Sequence, residues 1–246
     1  PGALRKDAFI KSELHKQGIK TQQFNASLLY DPATILTKQN KPYQVFTPFW
    51  NACRQKGEPE MLIARPEKMI PYSKPVHTED LRAFELLPKI AWDGGLRDQW
   101  VPGFQGAKNR LIFALQNSVE SYETTRNFPA ADGTSQLSPY LHFGELSPRM
   151  VWHAVRKKFK DHPSVVPFLR QLVWREFAYH LLFHFPQTPH EGLHTQFHAF
   201  PWKQDAQALQ AWQQGLTGYP IVDAGMRQLW HTGWMHNRVR MIVGSF

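Results

Sequence analysis

Apolar residues in the second half of the chain recur every three or four positions. Leu111, Leu115, Val119 and Tyr122 follow this spacing, and Arg126 extends the same face. Such spacing places side chains on one side of an α-helix. No alternating apolar and polar run of the length of a strand interrupts the pattern. We therefore predict that this part of the chain is all-α.

Capping residues mark the predicted ends of several helices. Hydroxyl and carboxylate side chains cap a helix start, proline suits the first turn, and glycine commonly ends a helix. The predicted starts are Ser147-Pro148, Asp205 and Tyr219-Pro220, and the predicted ends are Gly215 and Gly233. Further helices are predicted over residues 107–126, 139–144, 165–183 and 234–246.

The first hundred residues follow a different pattern. We predict a helix over residues 7–16 and a short strand over residues 20–24, as at the end of an α/β unit. Prolines then recur, and only residues 48–56 suit a helix, which is typical of a long connecting segment. The predicted organisation is the end of an α/β domain over residues 1–30, a linker over residues 31–100 and a helical domain over residues 101–246.

The composition narrows the choice of partner. The 246 residues include 29 Lys and Arg against 20 Asp and Glu, a net charge of +9, and nine Trp. Positive charge with indole rings suits a flat, anionic partner such as a nucleotide or ring cofactor, although such rings also fill helical cores. No apolar run approaches the roughly 20 residues that span a bilayer, and the single Cys53 cannot form an internal disulfide. We expect a cytoplasmic protein without a membrane partner.

Residues 133–139 read Gly-Thr-Ser-Gln-Leu-Ser-Pro and place three hydroxyls just before a predicted helix. Hydroxyls and free backbone N–H groups at such a position can bind a phosphate or diphosphate. The same residues also suit an ordinary helix start, with Ser138 as the cap and Leu137 packed inside. Both interpretations remain open from the residues alone.

The helix predicted over residues 165–183 has two faces. Its apolar face consists of Leu169, Leu172, Val173 and Phe177, and its other face consists of Gln171, Trp174, Arg175 and Ala178. An amide, an indole and a guanidinium on one face suit a flat polar ligand. In the alternative interpretation, Arg175 and Glu176 form a solvated surface and Trp174 lies in the core.

The last predicted helix is basic. Residues 224–246 contain no Asp or Glu, and their cationic or potentially cationic residues are Arg227, His231, His236, Arg238 and Arg240. The side chains of Trp234, Asn237, Arg238 and Met241 are neighbours on this helix. Uncompensated positive charge suits phosphates, although a solvated surface has the same pattern.

Other common site signatures are lacking in the sequence. It contains no Gly-x-Gly-x-x-Gly, Walker or Gly-x-Ser-x-Gly motif. His180 and His184 are four residues apart, but no cysteine or carboxylate completes a zinc-binding set around them. We predict no metal site.

Five motifs together carry a resemblance to a known family. They are Tyr122-Glu-Thr-Thr-Arg126, Thr134-Ser-Gln-Leu-Ser138, Trp174-Arg-Glu-Phe177, Thr217-Gly-Tyr-Pro-Ile-Val-Asp223 and Thr232-Gly-Trp-Met-His-Asn-Arg238. In order and spacing they resemble the photolyase/cryptochrome family. The resemblance implies that the chain is a fragment at both ends. Residues 1–30 would end the α/β antenna domain, and residues 101–246 would form the first part of the helical FAD-binding domain.

The resemblance also implies a role for each site residue. The FAD contacts would be Tyr122, Thr134, Ser135, Gln136, Leu137, Ser138, Phe168, Gln171, Arg175, Asn237 and Arg240. The DNA contacts would be Arg126, Gln171, Trp174, Arg175, Asn237 and Arg238. Trp174 would stack on a flipped-out pyrimidine dimer, and Met241 would touch the same lesion. Gln171, Asn237 and Met241 would act at the reaction centre, and Trp202 would be the surface-exposed end of an electron-transfer chain.

The implied activity is light-driven repair of cyclobutane pyrimidine dimers by photoexcited reduced FAD. One position departs from the resemblance, because bacterial dimer photolyases usually have Glu where this chain has Gln171. An amide can donate a hydrogen bond but cannot supply a proton. The alternative is therefore a cryptochrome-like photoreceptor with weak or no repair. A second antenna chromophore, folate or deazaflavin, and a monomeric state are also expected.

Overall fold

Helices form nearly all the regular structure of this computed structural model, which describes residues 2–64, 66–71, 73, 74, 76–201 and 203–246. The α-helices are α1 (Gly2–Lys16), α2 (Phe46–Lys56), α3 (Gly94–Gln99), α4 (Phe104–Asn117), α5 (Tyr122–Thr125), α6 (Ser138–His142), α7 (Pro148–Phe159), α8 (Val166–His184), α9 (Ala206–Gln214), α10 (Pro220–Thr232) and α11 (Asn237–Ser245). Short 3-10 turns lie at Pro32–Thr34, Leu81–Phe84, Pro163–Val165 and Thr195–Ala199. The mainly helical fold predicted from the sequence is confirmed.

The predicted capping residues lie where their helices begin and end. The Ser147 hydroxyl accepts the N–H of Arg149 at the start of α7, and the Asp205 carboxylate accepts the N–H of Ala208 at the start of α9. Gly215 and Gly233 end α9 and α10 with left-handed φ angles of 64° and 70°. These caps satisfy backbone groups that the helices themselves leave unpaired.

The strand predicted over residues 20–24 is wrong. These residues have no regular structure and are exposed, with Phe24 68% accessible. A strand needs a neighbour for its backbone groups. In the described ranges, extended pairing is limited to an isolated antiparallel bridge between Leu36 and Pro42.

Two predicted helices are shorter than expected. The helix that we expected to reach Arg126 ends as α4 at Asn117, and α5 begins separately at Tyr122. The Asn117 side chain bonds back to the Phe113 carbonyl, and a polar Asn-Ser pair at this point favours a turn. The last helix begins at Asn237 rather than at residue 234, because the preceding His236 has a non-helical backbone and its side chain caps the helix.

The chain folds into two compact units, one of residues 1–61 and 137–202 and the other of residues 62–136 and 203–246. The predicted domain boundaries at residues 30 and 100 remain predictions. Among the described residues, every helix is too short or too polar to span a membrane.

Helix α8 lies at the centre of the first unit, where it contacts α2, α7 and two 3-10 turns. Its predicted apolar face is buried, and α2 adds Phe46, Phe49 and Cys53 to the same core. Burial of one large apolar side chain stabilises a fold by about 1.5–3 kcal/mol. The segment that we predicted as a linker therefore contributes to this core.

Helix α10 organises the second unit, where it contacts α3, α9 and α11. Its core cluster consists of Val222, Met226, Met235, Val239 and Val243. Gly225 makes this packing possible, because a Cβ at that position would lie 2.5 Å from Cγ1 of Val239. The absence of a side chain there lets α10 and α11 approach closely.

Asp223 ties the start of α10 to the loop that precedes it. Its buried carboxylate accepts the Thr217 N–H at 2.8 Å, the Thr217 hydroxyl at 2.6 Å and the Gly218 N–H at 3.0 Å. The hydrogen bond from the Thr217 side chain is the main cause that lowers the pKa of Asp223 below its usual value of 3.8. Ionisation of this carboxyl therefore stabilises the folded state above that pH.

We expect Asp223→Asn to lower the Tm of the full-length protein at pH 7, because the amide offers one acceptor oxygen to three donors. The difference from the wild type should narrow as the pH falls below about 4, because the unfolded wild-type carboxyl then binds a proton more readily than the folded one. Thermal unfolding followed by circular dichroism measures both effects. Glu120→Gln, which changes an exposed acid of the same unit, is the control. A Tm difference that does not depend on pH would contradict this account.

Candidate functional site

The predicted site residues are divided between the two units. The first unit holds Leu137, Ser138, Phe168, Gln171, Trp174 and Arg175. The second unit holds Tyr122, Arg126, Thr134, Ser135, Gln136, Asn237, Arg238, Arg240 and Met241. Trp202 lies outside the described residues.

Trp174 presents an open aromatic surface on α8. Its ring stacks on Phe46 of α2, with 3.6 Å between centroids and 7° between planes. Phe46 is buried and Trp174 is 45% exposed, so the stack holds the indole in place without covering it. The interpretation of Trp174 as a core residue is wrong, because only one side of the ring packs inward. A fixed, partly exposed indole is suited to stacking against another flat ring.

Gln171 and Arg175 lie one turn apart on the same side of α8 as Trp174. The Gln171 amide donates to the Pro167 carbonyl at 3.2 Å within the helix. The Arg175 guanidinium donates to the backbone carbonyls of Ser27 at 2.6 Å and Leu141 at 3.3 Å. Arg175 therefore connects three segments of the first unit, and its contacts with flavin and DNA stay predictions.

Glu176 is buried rather than part of a solvated surface, which corrects our alternative interpretation of α8. One of its carboxylate oxygens accepts the Leu29 N–H at 2.8 Å and the Tyr30 N–H at 3.4 Å. The side chain is 4% exposed, and burial raises its pKa to about 7. Glu176 thereby anchors residues 29 and 30 to α8. Its spacing of three residues from Val173 and four from Leu172 is a signal of burial that we missed.

His180 lies one turn further along the buried face of α8. Its Nε2 accepts the Tyr43 N–H at 3.1 Å, and the ring is fully buried. Burial lowers its pKa to about 4. The ring is therefore neutral at pH 7. In the described ranges, no group of three His, Cys, Asp or Glu is placed to hold a metal ion.

The predicted phosphate-binding tract begins in an irregular loop. Leu137 is buried, as the packing interpretation predicted, but Ser138 is the exposed first residue of α6 rather than its cap. Helix α6 has only five residues, so its dipole is small. Any anion binding by this tract would depend on hydroxyls and loop amides. Phe168, the other predicted cofactor neighbour of the first unit, is buried.

Arg110 of α4, which sequence reasoning missed, holds the loop of residues 132–136. Its guanidinium donates to the Ser135 carbonyl at 2.9 Å, to the Thr134 carbonyl at 3.4 Å and to the Asp132 carboxylate at 3.1 Å. Gly133 fits tightly within the loop, because a Cβ would lie 2.6 Å from Cβ of Thr125. The Thr134, Ser135 and Gln136 side chains are half-buried.

Tyr122 and Arg126, which precede this loop in the sequence, form a cation–aromatic pair. The Arg126 guanidinium carbon lies 5.7 Å from the Tyr122 ring centroid. Burial raises the pKa of Tyr122, and the charge of Arg126 opposes that shift. Within the described ranges, the buried Nε of Arg126 has no hydrogen-bond partner. A buried donor without an acceptor lowers the stability of the fold. An anion bound here could accept a hydrogen bond from it.

Helix α11 carries the remaining predicted residues of the second unit. Arg238 donates from Nε and Nη2 to the Asn127 side-chain oxygen at 3.0 and 2.7 Å, so Asn127 orients this guanidinium. Asn237, Arg240 and Met241 are exposed. Sequence reasoning could not find Asn127, because its link to Arg238 spans 111 positions in the chain.

His236 does not add to the positive charge of this helix. Its Nδ1 accepts the Arg238 N–H at 3.1 Å, and the ring is buried. Burial is the main cause that lowers its pKa, and the Arg238 charge adds to it. The interpretation of His236 as a possible cation is therefore wrong.

Two family models match the chain. A model described as DNA photolyase matches residues 1–69, and a model described as the FAD-binding domain of DNA photolyase matches residues 168–246. The second match contains Gln171, Trp174 and the whole of α11.

Individual proteins match over the whole chain. A deoxyribodipyrimidine photo-lyase of Agrobacterium fabrum is 42% identical over 249 residues, covering 100% of this chain and 52% of the relative. Cryptochrome-2 of Arabidopsis thaliana is 34% identical and covers 100% of this chain and 42% of that relative. The crystal structure of a bacterial class III photolyase from Agrobacterium tumefaciens aligns with a TM-score of 0.93 at 42% identity, over 100% of this chain and 52% of that one. The chain thus spans about half the length of these relatives.

Glu176 and His180 should give opposite pH dependences of stability. Folded Glu176 keeps its proton above pH 4.5, where the unfolded group loses it, so its contribution decreases as the pH rises towards about 7. Folded His180 stays neutral below pH 6.5, where the unfolded group gains a proton, so its contribution decreases as the pH falls towards about 4. The two effects oppose each other between pH 4.5 and 6.5.

In that range we expect Glu176→Gln to make stability rise with pH, and His180→Gln to make it fall with pH. Each slope is at most about 1.4 kcal/mol per pH unit for one proton. Urea unfolding of the full-length protein at a series of pH values measures the free energy of unfolding. Glu191→Gln, at an exposed acid of the same unit, is the control. Parallel pH profiles for the wild type and both variants would show that neither group is coupled to folding.

Proposed function

Because the chain belongs to the photolyase/cryptochrome family, we propose that this protein uses light to repair cyclobutane pyrimidine dimers in DNA. The observation that carries the proposal is the exposed indole of Trp174, held on Phe46 next to the amide of Gln171. A dimer is a pair of flat bases with carbonyl groups. A fixed ring and a hydrogen-bonding amide on one helix face match that chemistry.

FAD is the proposed cofactor, and the described residues fit its diphosphate. Thr134 and Ser135 are half-buried, which leaves their hydroxyls partly accessible, and their carbonyls are bound by Arg110. Tyr122, Gln136, Leu137, Ser138, Phe168, Gln171, Arg175, Asn237 and Arg240 are the other proposed contacts. Reduced FAD, when bound, supplies the light absorption and the electron that splits the cyclobutane ring.

The cations of the second unit are the proposed contacts with DNA phosphates. Arg126 has an unpaired buried Nε, and Arg238 is oriented by Asn127. Phosphate contacts of this kind position a protein on DNA without reading its sequence. The two linked bases of the dimer would leave the stack, since a group buried in a duplex is otherwise out of reach.

The flipped-out lesion would then contact the exposed face of α8. Trp174 would stack on the flipped-out dimer, and Met241 and Asn237 would contact it. Gln171 would donate a hydrogen bond from its amide to a dimer carbonyl, which stabilises developing negative charge. Trp202 is proposed as the surface end of the electron route that keeps FAD reduced, and a folate or deazaflavin as a second chromophore.

A second candidate function is that of a flavin photoreceptor with weak or no repair. Two observations favour it: Gln171 replaces the carboxyl that the family's repair enzymes usually carry, and cryptochromes are among the relatives. Such a protein would need no lesion-binding surface. The exposed Trp174 therefore favours repair.

Repair is tested by illuminating the full-length, FAD-loaded protein with an oligonucleotide that contains one dimer. We expect light-dependent loss of the dimer, and a faster loss with Gln171→Glu, because a carboxyl can hold or supply a proton that an amide cannot. Chromatography of the oligonucleotide measures intact and repaired strands, with a dark sample as the control. Illumination that leaves the dimer intact in both proteins would reject the repair function.

Phe46→Leu should weaken binding to dimer-containing DNA about two- to tenfold, because a stacked ring pair contributes about 0.5–1.5 kcal/mol. Affinity for intact DNA should not change, since Phe46 is buried. Fluorescence anisotropy of labelled duplexes in the dark measures both affinities. Phe183→Leu on α8, 50% exposed and in edge-to-face contact with His184, is the control. Equal effects of the two substitutions would show that the Phe46 ring has no special role.

A further inference from the structure

Arg110 occupies the inner side of the loop of residues 132–136. Its side chain is 20% exposed, and its guanidinium carbon lies 4.7 Å from the Phe113 ring centroid on the same helix. From this position Nε and Nη2 donate to two successive carbonyls, those of Thr134 and Ser135. The guanidinium thus fixes two neighbouring peptide planes at once.

The direction of these carbonyls determines the direction of the adjacent amides. In a trans peptide the C=O and the N–H of the same plane point to opposite sides. Because the Thr134 and Ser135 carbonyls point to Arg110, the N–H groups of Ser135 and Gln136 point away from it. Two successive N–H groups on one side of a loop form a concave donor surface for anions.

The conformation of Gln136 adds to this arrangement. Its φ angle is 50°, in the left-handed region that non-glycine residues rarely adopt. Its side-chain amide donates to the Asp132 carboxylate at 3.2 Å, the same oxygen that Arg110 binds. A rarely adopted backbone conformation persists when its surroundings hold it, and here Arg110 and Asp132 hold both ends of the loop.

The charge of Arg110 is not itself available to an anion. Asp132 neutralises it at 3.1 Å, and the carbonyls occupy the donors that face the loop. Arg110 therefore acts on a ligand indirectly, by orienting the backbone amides of Ser135 and Gln136.

We propose that Arg110 is a positioning residue that presents the amides of Ser135 and Gln136 to the FAD diphosphate. This inference rests on the proposed function only in taking FAD as the ligand. Without Arg110 the two peptide planes can rotate, and the N–H groups of Ser135 and Gln136 are no longer held in one orientation. Diphosphate binding weakens as a result, while contacts with the flavin ring are unaffected.

The test is FAD binding by the full-length apoprotein with Arg110→Met. We expect FAD affinity to fall about tenfold or more, the effect of one or two hydrogen bonds to a charged group. Phosphorus NMR of bound FAD should show shifted diphosphate resonances, a change that lower stability alone would not cause. Arg110→Lys, which keeps the charge but cannot hold both peptide planes, should give an intermediate loss and provides a second variant if Arg110→Met does not fold.

Two controls separate the alternatives. Lys108→Met removes a charge from the same helix at an exposed position, and Leu111→Ala lowers stability by emptying a buried position. Neither should shift the phosphorus resonances. Unchanged FAD affinity and resonances in both Arg110 variants would overturn the inference alone. Failure of the wild type to bind FAD would overturn the proposed function as well.

Discussion

The burial of one face of α8 is the constraint on which the first unit depends. Its apolar residues pack with α2 and α7, and Glu176 on the same face binds the backbone of residues 29 and 30. A helix with one fixed face has its other face fixed as well, because 3.6 residues make a turn. The outward direction of the half-buried Gln171 and the exposure of Trp174 therefore follow from core packing.

Local patterns in the sequence predicted the helices well and their breaks less well. The caps at Ser147 and Asp205 depend on neighbouring residues and were predictable. The break after Asn117 was missed, because the apolar spacing continues across it, although the Asn-Ser pair at this point favours a turn. The strand over residues 20–24 was wrong for a related reason. Strand formation depends on a partner elsewhere in the chain, which local composition does not specify.

The candidate site shows the same division between local and distant information. The face with Gln171, Trp174 and Arg175 follows from helical spacing, so the sequence predicted it. The residues that hold site groups in place, such as Phe46 and Asn127, are far away in sequence. Net charge was also a poor guide to free cations. Arg110 and Arg175 stabilise the fold by donating hydrogen bonds to backbone carbonyls, and a count of charges does not reveal this role.

Lesion recognition by Trp174 is measured by the preference of the full-length protein for damaged DNA in the dark. The measurement is the ratio of its affinities for a duplex with one dimer and for the same duplex without it, in the wild type, Trp174→Ala and Trp230→Ala. Trp230 is 81% exposed and belongs to the other unit, so it controls for the loss of an indole. We expect a clear preference in the wild type and in Trp230→Ala, and its loss in Trp174→Ala. An equal preference in all three proteins, or none in the wild type, would contradict it.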